Sequence, residues 1–355
     1  MNSFGNKFRL TTFGESHGVA IGGVIDGMPS GVKIDLELVQ SEINRRRGGQ
    51  SVYATPRAEA DRIEVFSGIF EGFSTGTPIG FAIYNENQKS KDYESLRDIF
   101  RAGHADWGYY QKYAVRDHRG GGRASARETA VRVAGGAFAR LLLDSFGVSV
   151  KSGVLSVGSV DISGEPDWDL AARSEIFALG AEEAMKAEIM NARNAHDSVG
   201  ASVLTIAQGV MAGLGEPLYG RLDAALASAL MGINGVKAVE IGEGVRASRL
   251  RGSENNDNMG ENGFLSNHSG GILGGISSGE PIVLKSHFKP TPSIFKPQMT
   301  LDKTGAVREY ELRGRHDPCI GVRGSVVATA MVRLVLADML LLNASSKLES
   351  LQKLY

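Results

Sequence analysis

Glycine is the residue that most limits what this chain can fold into. It occurs 46 times in 355 residues, where an average protein would use about 7%. Only ten prolines accompany the glycines and no repeating period organises them, so the chain is neither collagen-like nor a flexible linker. Because glycine is favoured where the backbone turns tightly or approaches another group closely, we expect many tight turns or backbone segments pressed against ligands.

Patterns typical of strands and of helices are mixed along the chain without a regular strand–helix–strand rhythm. Alternating apolar residues predict strands over 8–12, 19–26, 63–69, 78–84, 148–160, 236–241 and 281–288. Helical spacing predicts helices over 35–48, 125–147, 181–194, 218–231 and 326–342, flanking glycines included. The mixture favours an α+β fold over a doubly wound sheet.

Local signals mark where two of these helices begin. Asp35 has the side chain and position of an N-cap, and Ser125 with Glu128 has the spacing of a capping box. Residues 85–122 are polar and show little periodicity, so we expect an extended loop, which at that length is usually functional.

The domain organisation follows from the absence of a linker. Length alone suggests about two domains, but no segment rich in Pro or Ser divides the chain. We therefore predict a single domain over 1–342, with 343–355 as a peripheral tail.

Charge and cysteine content exclude several classes of protein. The formal net charge is −1, which argues against binding to nucleic acid or to an anionic membrane. The single cysteine, Cys319, can form neither an intrachain disulfide nor a CxxC metal site, and it favours a cytoplasmic location. The segment 1–20 lacks the apolar run of a secretory signal. The apolar segment 326–342 contains Arg333 and Asp338, so we expect a buried amphipathic helix and no membrane span.

Three consecutive glycines between two arginines, Arg119 to Arg123, lead directly into the predicted helix at Ser125. Free N–H groups at a helix N-terminus bind anions, and guanidinium groups pair with phosphate or carboxylate. Arginine also far outnumbers lysine between positions 45 and 132, as recognition of a small, highly charged substrate would require. An ordinary turn with a solvated cap is the alternative.

The seven histidines form no HxxH or HExxH pattern, so a metal site has little support. His17, His104 and the pair His316–Asp317 lie among glycines, arginines and acids, where an imidazole could be tuned for proton transfer. A structural histidine is the alternative for each.

Paired glycines over 270–279 precede the run Lys289-Pro-Thr-Pro-Ser293, whose cation and hydroxyls would suit a cofactor phosphate. A simple β-turn connection is the alternative for the glycines. The residues thus predict a soluble enzyme that binds polyanionic small molecules through arginines and uses histidine acid/base groups, without giving its reaction.

These segments together resemble the chorismate synthase family, which acts at the end of the shikimate pathway. The resemblance runs in family order over almost the whole chain. It rests on FRLTTFGESHG (8–18), DGMPSG (26–31), NRRR (44–47), TPRAEAD (55–61), SGIFEG (67–72), GTPI (76–79), AGHAD (102–106), KYAVRDHRGGGRASARET (112–129), AGLGEP (212–217), INGVKAVEIG (233–242), SNHSGGILGGISSG (266–279), KPTPS (289–293) and GRHDPCIGVR (314–323).

The resemblance implies a single α+β domain, with a helical layer sandwiched between antiparallel sheets, assembled as a homotetramer. It implies an anti-1,4-elimination of phosphate from 5-enolpyruvylshikimate 3-phosphate, giving chorismate. Reduced FMN is required in the family although there is no net redox change, because the cofactor assists removal of a weakly acidic ring hydrogen. It implies no role for nucleic acid, membrane or metal.

The resemblance also implies roles for individual residues. His17 is similar to the general acid near the departing phosphate, and His104 to the acid that sets the protonation of the flavin. Asp317 resembles the carboxylate that assists at flavin N5, and the hydroxyls of Ser16 and Ser125 support these groups. The implied substrate arginines are Arg46, Arg101, Arg127 and Arg323.

The implied flavin site comes from several segments, and one of its members is ambiguous. Arg46 is a substrate position in the family and also a nicotinamide position in some members. We expect NADPH to act only indirectly, through an external flavin reductase. The cofactor-binding residues so implied are Arg46, Arg123, Ala124, Ser125, Asn234, Gly235, Gly274, Lys289, Pro290, Thr291, Pro292, Ser293 and Arg315.

The chain departs from the family pattern at three positions. Val52 stands where arginine is frequent, so Arg45 or Arg47 would have to supply an anion contact. Ala124 replaces a serine and leaves only a backbone contact to flavin. Ala102 replaces a common proline, so we expect a looser loop before His104. The competing functions are an NAD(P)H-dependent oxidoreductase and a non-enzymatic binder of phosphorylated ligands or RNA.

Overall fold

Two antiparallel sheets enclose a layer of helices in the computed structural model, which describes residues 1–57, 59–86, 90–312, 316–353 and 355, without the side chains of 90–92. The strands of these described residues, in chain order, are β1 (Ser3–Phe4), β2 (Arg9–Gly14), β3 (Ala20–Asp26), β4 (Ile63–Val65), β5 (Ile69–Phe70), β6 (Phe73–Ser74), β7 (Ile79–Tyr84), β8 (Ser149–Val157), β9 (Val160–Asp161), β10 (Ala201–Gln208), β11 (Val236–Ile241), β12 (Met259–Gly260), β13 (Gly263–Phe264), β14 (Ile272–Leu273), β15 (Ile276–Ser277), β16 (Ile282–Phe288), β17 (Gln298–Leu301) and β18 (Val307–Tyr310).

The first sheet has the order β1-β2-β3-β7-β4 and the second the order β11-β16-β10-β8-β9. The remaining strands form short hairpins, which pair β5 with β6, β12 with β13, β14 with β15, and β17 with β18. The helices of the described residues are α1 (Leu36–Arg46), α2 (Asp106–Tyr113), α3 (Thr129–Asp144), α4 (Trp168–Arg173), α5 (Glu182–Asn194), α6 (Leu222–Met231), α7 (Gly252–Asn255), α8 (Ile320–Asn343) and α9 (Leu348–Gln352).

Helices α3 and α8 form the centre of the layer between the sheets. Helix α3 packs on β2 and β3 of the first sheet, α8 packs on β8, β10 and β16 of the second, and the two helices contact each other. Their backbones approach closely, because a Cβ built on Gly136 would lie 2.5 Å from Cα and Cβ of Ala330. Helices α1 and α6 complete the layer, beside α3 and α8 respectively.

Helix α8 is buried on nearly all sides, from Gly321 to Met339. By length and hydropathy it could span a membrane, but 89% of its apolar window is buried within the protein. The prediction of a buried helix is confirmed. The prediction that this helix is amphipathic is wrong, because the second sheet covers one side of it and the neighbouring helices cover the other. The carboxylate of Asp338 accepts hydrogen bonds from the backbone N–H groups of Lys7 and Phe8, at 2.6 and 2.9 Å.

The predicted fold class, a single α+β domain with helices between antiparallel sheets, is confirmed. The boundary at 342 stays a prediction, and α9 beyond it contains no buried residue. Asp35 is the N-cap of α1, where its carboxylate accepts from the N–H of Leu38 at 2.9 Å.

Other local predictions are wrong. Ser125 does cap the 3₁₀ turn of residues 126–128 before α3, where its hydroxyl accepts from the N–H of Arg127 at 3.4 Å, but Glu128 pairs with Arg132 at 2.8 Å, so the capping box does not form. The segment 85–122 contains α2 and a 3₁₀ helix at Ser90–Leu96. Strand β10 and the hairpin of β17 and β18 have no counterpart in the sequence prediction.

The α3–α8 contact makes a specific prediction for Gly136→Ala. In an open helix, replacing Gly by Ala stabilises by about 0.5–1 kcal/mol. At position 136 the new methyl group would instead force the two helices apart, so we expect a destabilisation of about 1–3 kcal/mol. Urea unfolding of both variants tests this, with Gly108→Ala on α2 as the matched control because its Cβ meets open space. Equal effects of the two substitutions would contradict the packing argument.

Candidate active site

A cavity of about 570 Å³ lies where the N-terminal ends of α3 and α8 meet loops from both sheets. This volume is typical of small-molecule sites. Fifteen of the residues implied by the sequence resemblance contribute to its lining. They are Arg46, Arg101, His104, Ala124, Ser125, Arg127, Asn234, Gly235, Lys289, Pro290, Thr291, Pro292, Ser293, Asp317 and Arg323.

Arg46 and Arg127 share the buried carboxylate of Asp61. Arg46 Nη1 lies 3.5 Å from Asp61 Oδ2, and Arg127 Nη1 donates to Asp61 Oδ1. The guanidinium of Arg46 also donates to the carbonyl oxygen of Ala126 at 2.7 Å. Burial, and then the neighbouring Arg323, lowers the pKa of Arg46 to about 9. Arg46 therefore keeps its charge at neutral pH and is held rigidly at the cavity wall.

Asp317 and Arg323 form a second ion pair at the start of α8. Arg323 Nε donates to Asp317 Oδ1 at 3.0 Å, and its Nη2 donates to the other carboxylate oxygen. The N–H of Thr55 donates to Asp317 Oδ1 at 3.0 Å, across 262 positions of sequence. The carboxylate is thus fixed by a backbone amide from the loop that follows α1.

His104 belongs to a third group, which is organised by Asp106. The imidazole Nδ1 lies 3.0 Å from Asp106 Oδ1, while Arg101 donates to both oxygens at 2.7 and 2.9 Å and Arg116 approaches to 3.1 Å. Although burial opposes it, the hydrogen bonds from Arg101 and His104 hold the pKa of Asp106 far below its usual range. Burial lowers the pKa of His104, against the opposing hydrogen bond to Asp106. The carboxylate acceptor favours a proton on Nδ1 and leaves Nε2 free for a ligand.

His17 lies one layer behind the described lining. Gly120 and Tyr93 line the cavity and both contact the imidazole, Tyr93 with ring centroids 5.1 Å apart. Gly120 has a φ of +63°, and a Cβ there would overlap the imidazole at 2.1 Å, so only glycine fits. Ser16 Oγ lies 3.2 Å from His17 Nδ1. Burial, and then Arg57, lowers the pKa of His17 to about 4.

Two further implied residues are placed elsewhere. Arg123 points away to β2, where it donates to Thr12 Oγ1 at 2.6 Å. Gly274 forms the exposed turn between β14 and β15, apart from the described lining. Arg315 falls outside the described residues. Arg45 and Arg47, which were proposed to supply the anion contact missing at Val52, also lie away from the lining. Arg45 pairs with Glu42, and Arg47 donates to the carbonyl oxygen of Ala60.

Four buried polar atoms in the lining have no hydrogen-bond partner within the described residues: Arg127 Nη2, Asn234 Oδ1, Thr291 Oγ1 and His316 Nε2. Buried polar atoms are normally paired, so a cluster of unpaired ones indicates a polar ligand. The set offers donors and acceptors in one cavity. This matches a flavin, whose ring edge carries alternating carbonyl and N–H groups, and the residues present therefore fit FMN.

The sequence analysis missed several residues of the site. Arg57 and Glu59 line the cavity and pair at 2.7 Å, while Asp61 and Asp106 hold the arginines described above. Their signal was present, because all four fall inside quoted motifs. His316, a candidate for proton transfer from its local context but not among the residues implied by the resemblance, lines the cavity. Within the described ranges, no cluster of His, Cys, Asp or Glu is arranged to hold a metal ion.

Acid is expected to destabilise the folded protein through His17 and His316. Burial first, and then Arg57 and Arg101 respectively, lowers the pKa of each imidazole to about 4, whereas an unfolded histidine titrates near about 6.5. Because the unfolded chain binds the proton more tightly, this stabilisation is present above pH ~6.5 and is lost as the pH falls towards 4. Each histidine should lower the free energy of unfolding by about 1–2 kcal/mol between pH 7 and pH 5.

Urea unfolding at pH 7 and pH 5 measures this loss. His17→Gln and His316→Gln should each show a smaller loss than the unsubstituted protein. The same pH dependence in all three proteins would contradict the assignment of buried neutral imidazoles.

Comparison with known proteins agrees with this arrangement of residues. The sequence model of the chorismate synthase family matches residues 8–341. The chain is 70% identical over 355 residues to the chorismate synthase of Campylobacter curvus, with both chains fully covered. It is 60% identical over 361 residues to that of Campylobacter jejuni subsp. doylei, covering 100% of this chain and 99% of the relative.

A solved structure described as "Crystal Structure of Chorismate Synthase" has a similar fold. It aligns with a TM-score of 0.77 and 29% identity, and the alignment covers 98% of this chain and 96% of the other. A cationic cavity between the two central helices, a family match over nearly the whole chain and close relatives of equal length all lead to one conclusion. The chain belongs to the chorismate synthase family.

Proposed function

We propose that this protein is a carbon–oxygen lyase that removes phosphate from 5-enolpyruvylshikimate 3-phosphate by anti-1,4-elimination, giving chorismate, and that it requires reduced FMN. The observation that carries the proposal is the arginine-lined cavity of a chorismate synthase family member. A substrate with one phosphate and two carboxylates needs several fixed cations at different points. Guanidinium groups meet that need because they bind such groups in a bidentate manner.

The unpaired atoms described above identify residues that would hold the cofactor. Asn234 and Thr291 offer an acceptor and a hydroxyl, and Lys289 with the stiff Pro290–Pro292 backbone adds a cation and a rigid wall. When bound, reduced FMN supplies transient one-electron chemistry that makes a weakly acidic ring hydrogen removable. The protein contributes position, charge and protons.

The four substrate arginines would act as a rigid clamp. Each is already oriented by a carboxylate or a carbonyl oxygen, so little side-chain entropy is lost when the substrate binds. Arg46 lies at the end of α1, Arg127 in the 3₁₀ turn before α3, Arg323 in the first turn of α8, and Arg101 in the loop before α2. The substrate is therefore gripped from several directions and held with its leaving group towards one wall.

His17 would protonate the departing phosphate beside Gly120, whose lack of a side chain lets the imidazole approach the cavity. Its low pKa leaves it neutral at pH 7 in the absence of substrate. A phosphate dianion nearby favours the charged imidazolium, so the pKa rises when substrate binds and the proton becomes available. Arg57, beside Ser16 and Glu59, would stabilise the same phosphate.

His104 would hold or deliver a proton on the side of the cavity where the cofactor would bind. Asp106 orients the ring through Nδ1, so Nε2 is the atom that exchanges the proton. Asp317, fixed by Arg323 and the N–H of Thr55, would accept a hydrogen bond or proton on the same side. Ser125 contributes a hydroxyl to the same lining.

The remaining partners are part of the proposal. We infer a cytoplasmic homotetramer that receives FMN reduced by a separate reductase, with NADPH acting only through that reductase. No dinucleotide-binding glycine fingerprint is found in the sequence. We also infer that neither nucleic acid nor membrane is a partner, because the net charge is close to zero.

Anaerobic turnover tests the reaction directly. Purified protein, chemically reduced FMN and 5-enolpyruvylshikimate 3-phosphate should release chorismate and phosphate in equal amounts. Oxidised FMN should give no product, and neither should oxidised FMN with NADPH, because the reductase is absent. Phosphate release without chorismate would contradict the elimination, and turnover with NADPH alone would contradict the external reductase.

The proposed acids make a second prediction. His17→Ala and His104→Ala should each lower kcat about 10²–10⁴-fold if the imidazoles are positioned acids. His287→Ala on the second sheet is the control, and it should leave kcat unchanged. Normal turnover by either of the first two variants would remove that histidine from the mechanism.

A further inference from the structure

We propose that Tyr310 is a positioning residue for the loop 101–104, which carries Arg101 and His104, and that it acts through the backbone N–H of Ala102. The proposal rests on the proposed function, because it concerns the geometry of residues assigned to that reaction. Tyr310 lies on β18, behind the described lining of the cavity. It can therefore influence the reaction only through the loop that it holds.

The hairpin of β17 and β18 supports the approach to this loop. The N–H of Phe100 donates to the carbonyl oxygen of Leu301 at 3.1 Å, and the N–H of Lys303 donates to the carbonyl oxygen of Asp98 at 2.8 Å. Residues 98–100 thus run beside β17 and its turn as an added strand. The hairpin is therefore fixed against the residues that immediately precede the loop 101–104.

Tyr310 continues this contact with a two-step hydrogen-bond relay. The N–H of Ala102 donates to Tyr310 Oη at 2.7 Å, and the Tyr310 hydroxyl donates to Gln298 Oε1 at 2.9 Å. The ring is 8% exposed and packs with Leu96 and Leu312. Because the hydroxyl proton is committed to Gln298, its lone pair is directed at Ala102. Burial raises the pKa of Tyr310, so the phenol remains a donor at neutral pH.

The other end of the loop is held by the site itself. The carbonyl oxygen of Gly103 accepts from Lys289 Nζ at 2.7 Å, and the N–H of Arg101 donates to Asp106 Oδ2 at 3.1 Å. The N–H of His104 donates to the carbonyl oxygen of Arg101 at 3.2 Å. Tyr310 is thus the remote anchor in a loop whose other anchors belong to the cavity.

The relay also explains how the chain manages with alanine at position 102. A proline ring would restrict the backbone there and would have no N–H to satisfy. Alanine has an N–H, and Tyr310 accepts its hydrogen bond. The expectation of a looser loop before His104 stays a prediction, and the tyrosine hydroxyl supplies one contact that holds the backbone at that point.

Tyr310→Phe removes the hydroxyl and keeps the ring. Without an acceptor, the N–H of Ala102 should exchange with deuterium about tenfold faster in the ligand-free protein. A loop displaced by a fraction of an ångström should lower kcat about tenfold. Tyr84→Phe on β7, whose side chain is exposed, is the control for loss of a hydroxyl and should match the unsubstituted protein in both measurements.

A double-mutant cycle with Ala102→Pro separates positioning from general destabilisation. Proline removes the donor and brings a ring carbon against the Tyr310 hydroxyl, so Ala102→Pro alone should lower kcat at least as much as Tyr310→Phe, and the double variant should lie within about threefold of Ala102→Pro. An equal loss of kcat from Tyr310→Phe in both backgrounds, or unchanged exchange at Ala102, would overturn the proposal. If the unsubstituted protein made no chorismate, the proposed function would fail, and the exchange measurement would still decide whether Tyr310 holds the loop.

Discussion

The contact between α3 and α8 is the constraint on which the rest of the structure depends. Each helix covers one sheet, and the absent side chain at Gly136 lets their backbones meet at Ala330. The same contact brings their N-terminal ends to one cavity, where Arg127 lies in the 3₁₀ turn before α3 and Arg323 in the first turn of α8. Two positive helix ends side by side repel each other. A fold that holds them together is therefore suited to a ligand with several negative charges.

Buried carboxylates make this concentration of cations tolerable. A buried guanidinium without a partner is strongly destabilising, so each needs a fixed acceptor. Three carboxylates act as these acceptors. Asp61 lies between Arg46 and Arg127, and Asp106 lies between Arg101 and Arg116. Asp317 lies between Arg323 and the N–H of Thr55. Because one carboxylate serves two cations in the first two groups, positive charge remains for the ligand. The acids thus orient the arginines without neutralising the site.

How much the sequence could predict depended on whether the signal was local. Asp35 caps α1 as predicted, because an N-cap bond spans only three residues. The capping box predicted at Ser125 does not form, because the side chain of Glu128 pairs with Arg132 one turn further along the helix. Strand β10 lies at the centre of a sheet and is buried on both faces, so it lacks the apolar–polar alternation that marks a half-buried strand. Motif recognition found the cavity residues, yet it gave no sign that His17 sits behind Gly120, since that contact is set by the fold.

The site is assembled from contacts that join distant parts of the chain. Thr55 fixes Asp317, Lys289 fixes Gly103, and Tyr310 fixes the loop beside His104. These contacts join positions 186 to 262 residues apart, so the cavity is complete only in the folded chain. Mutual repulsion among the clustered arginines opposes that assembly, and a bound polyanion relieves it. Ligand binding and folding are therefore coupled: a ligand that binds only the assembled cavity stabilises the whole domain and not its own loops alone.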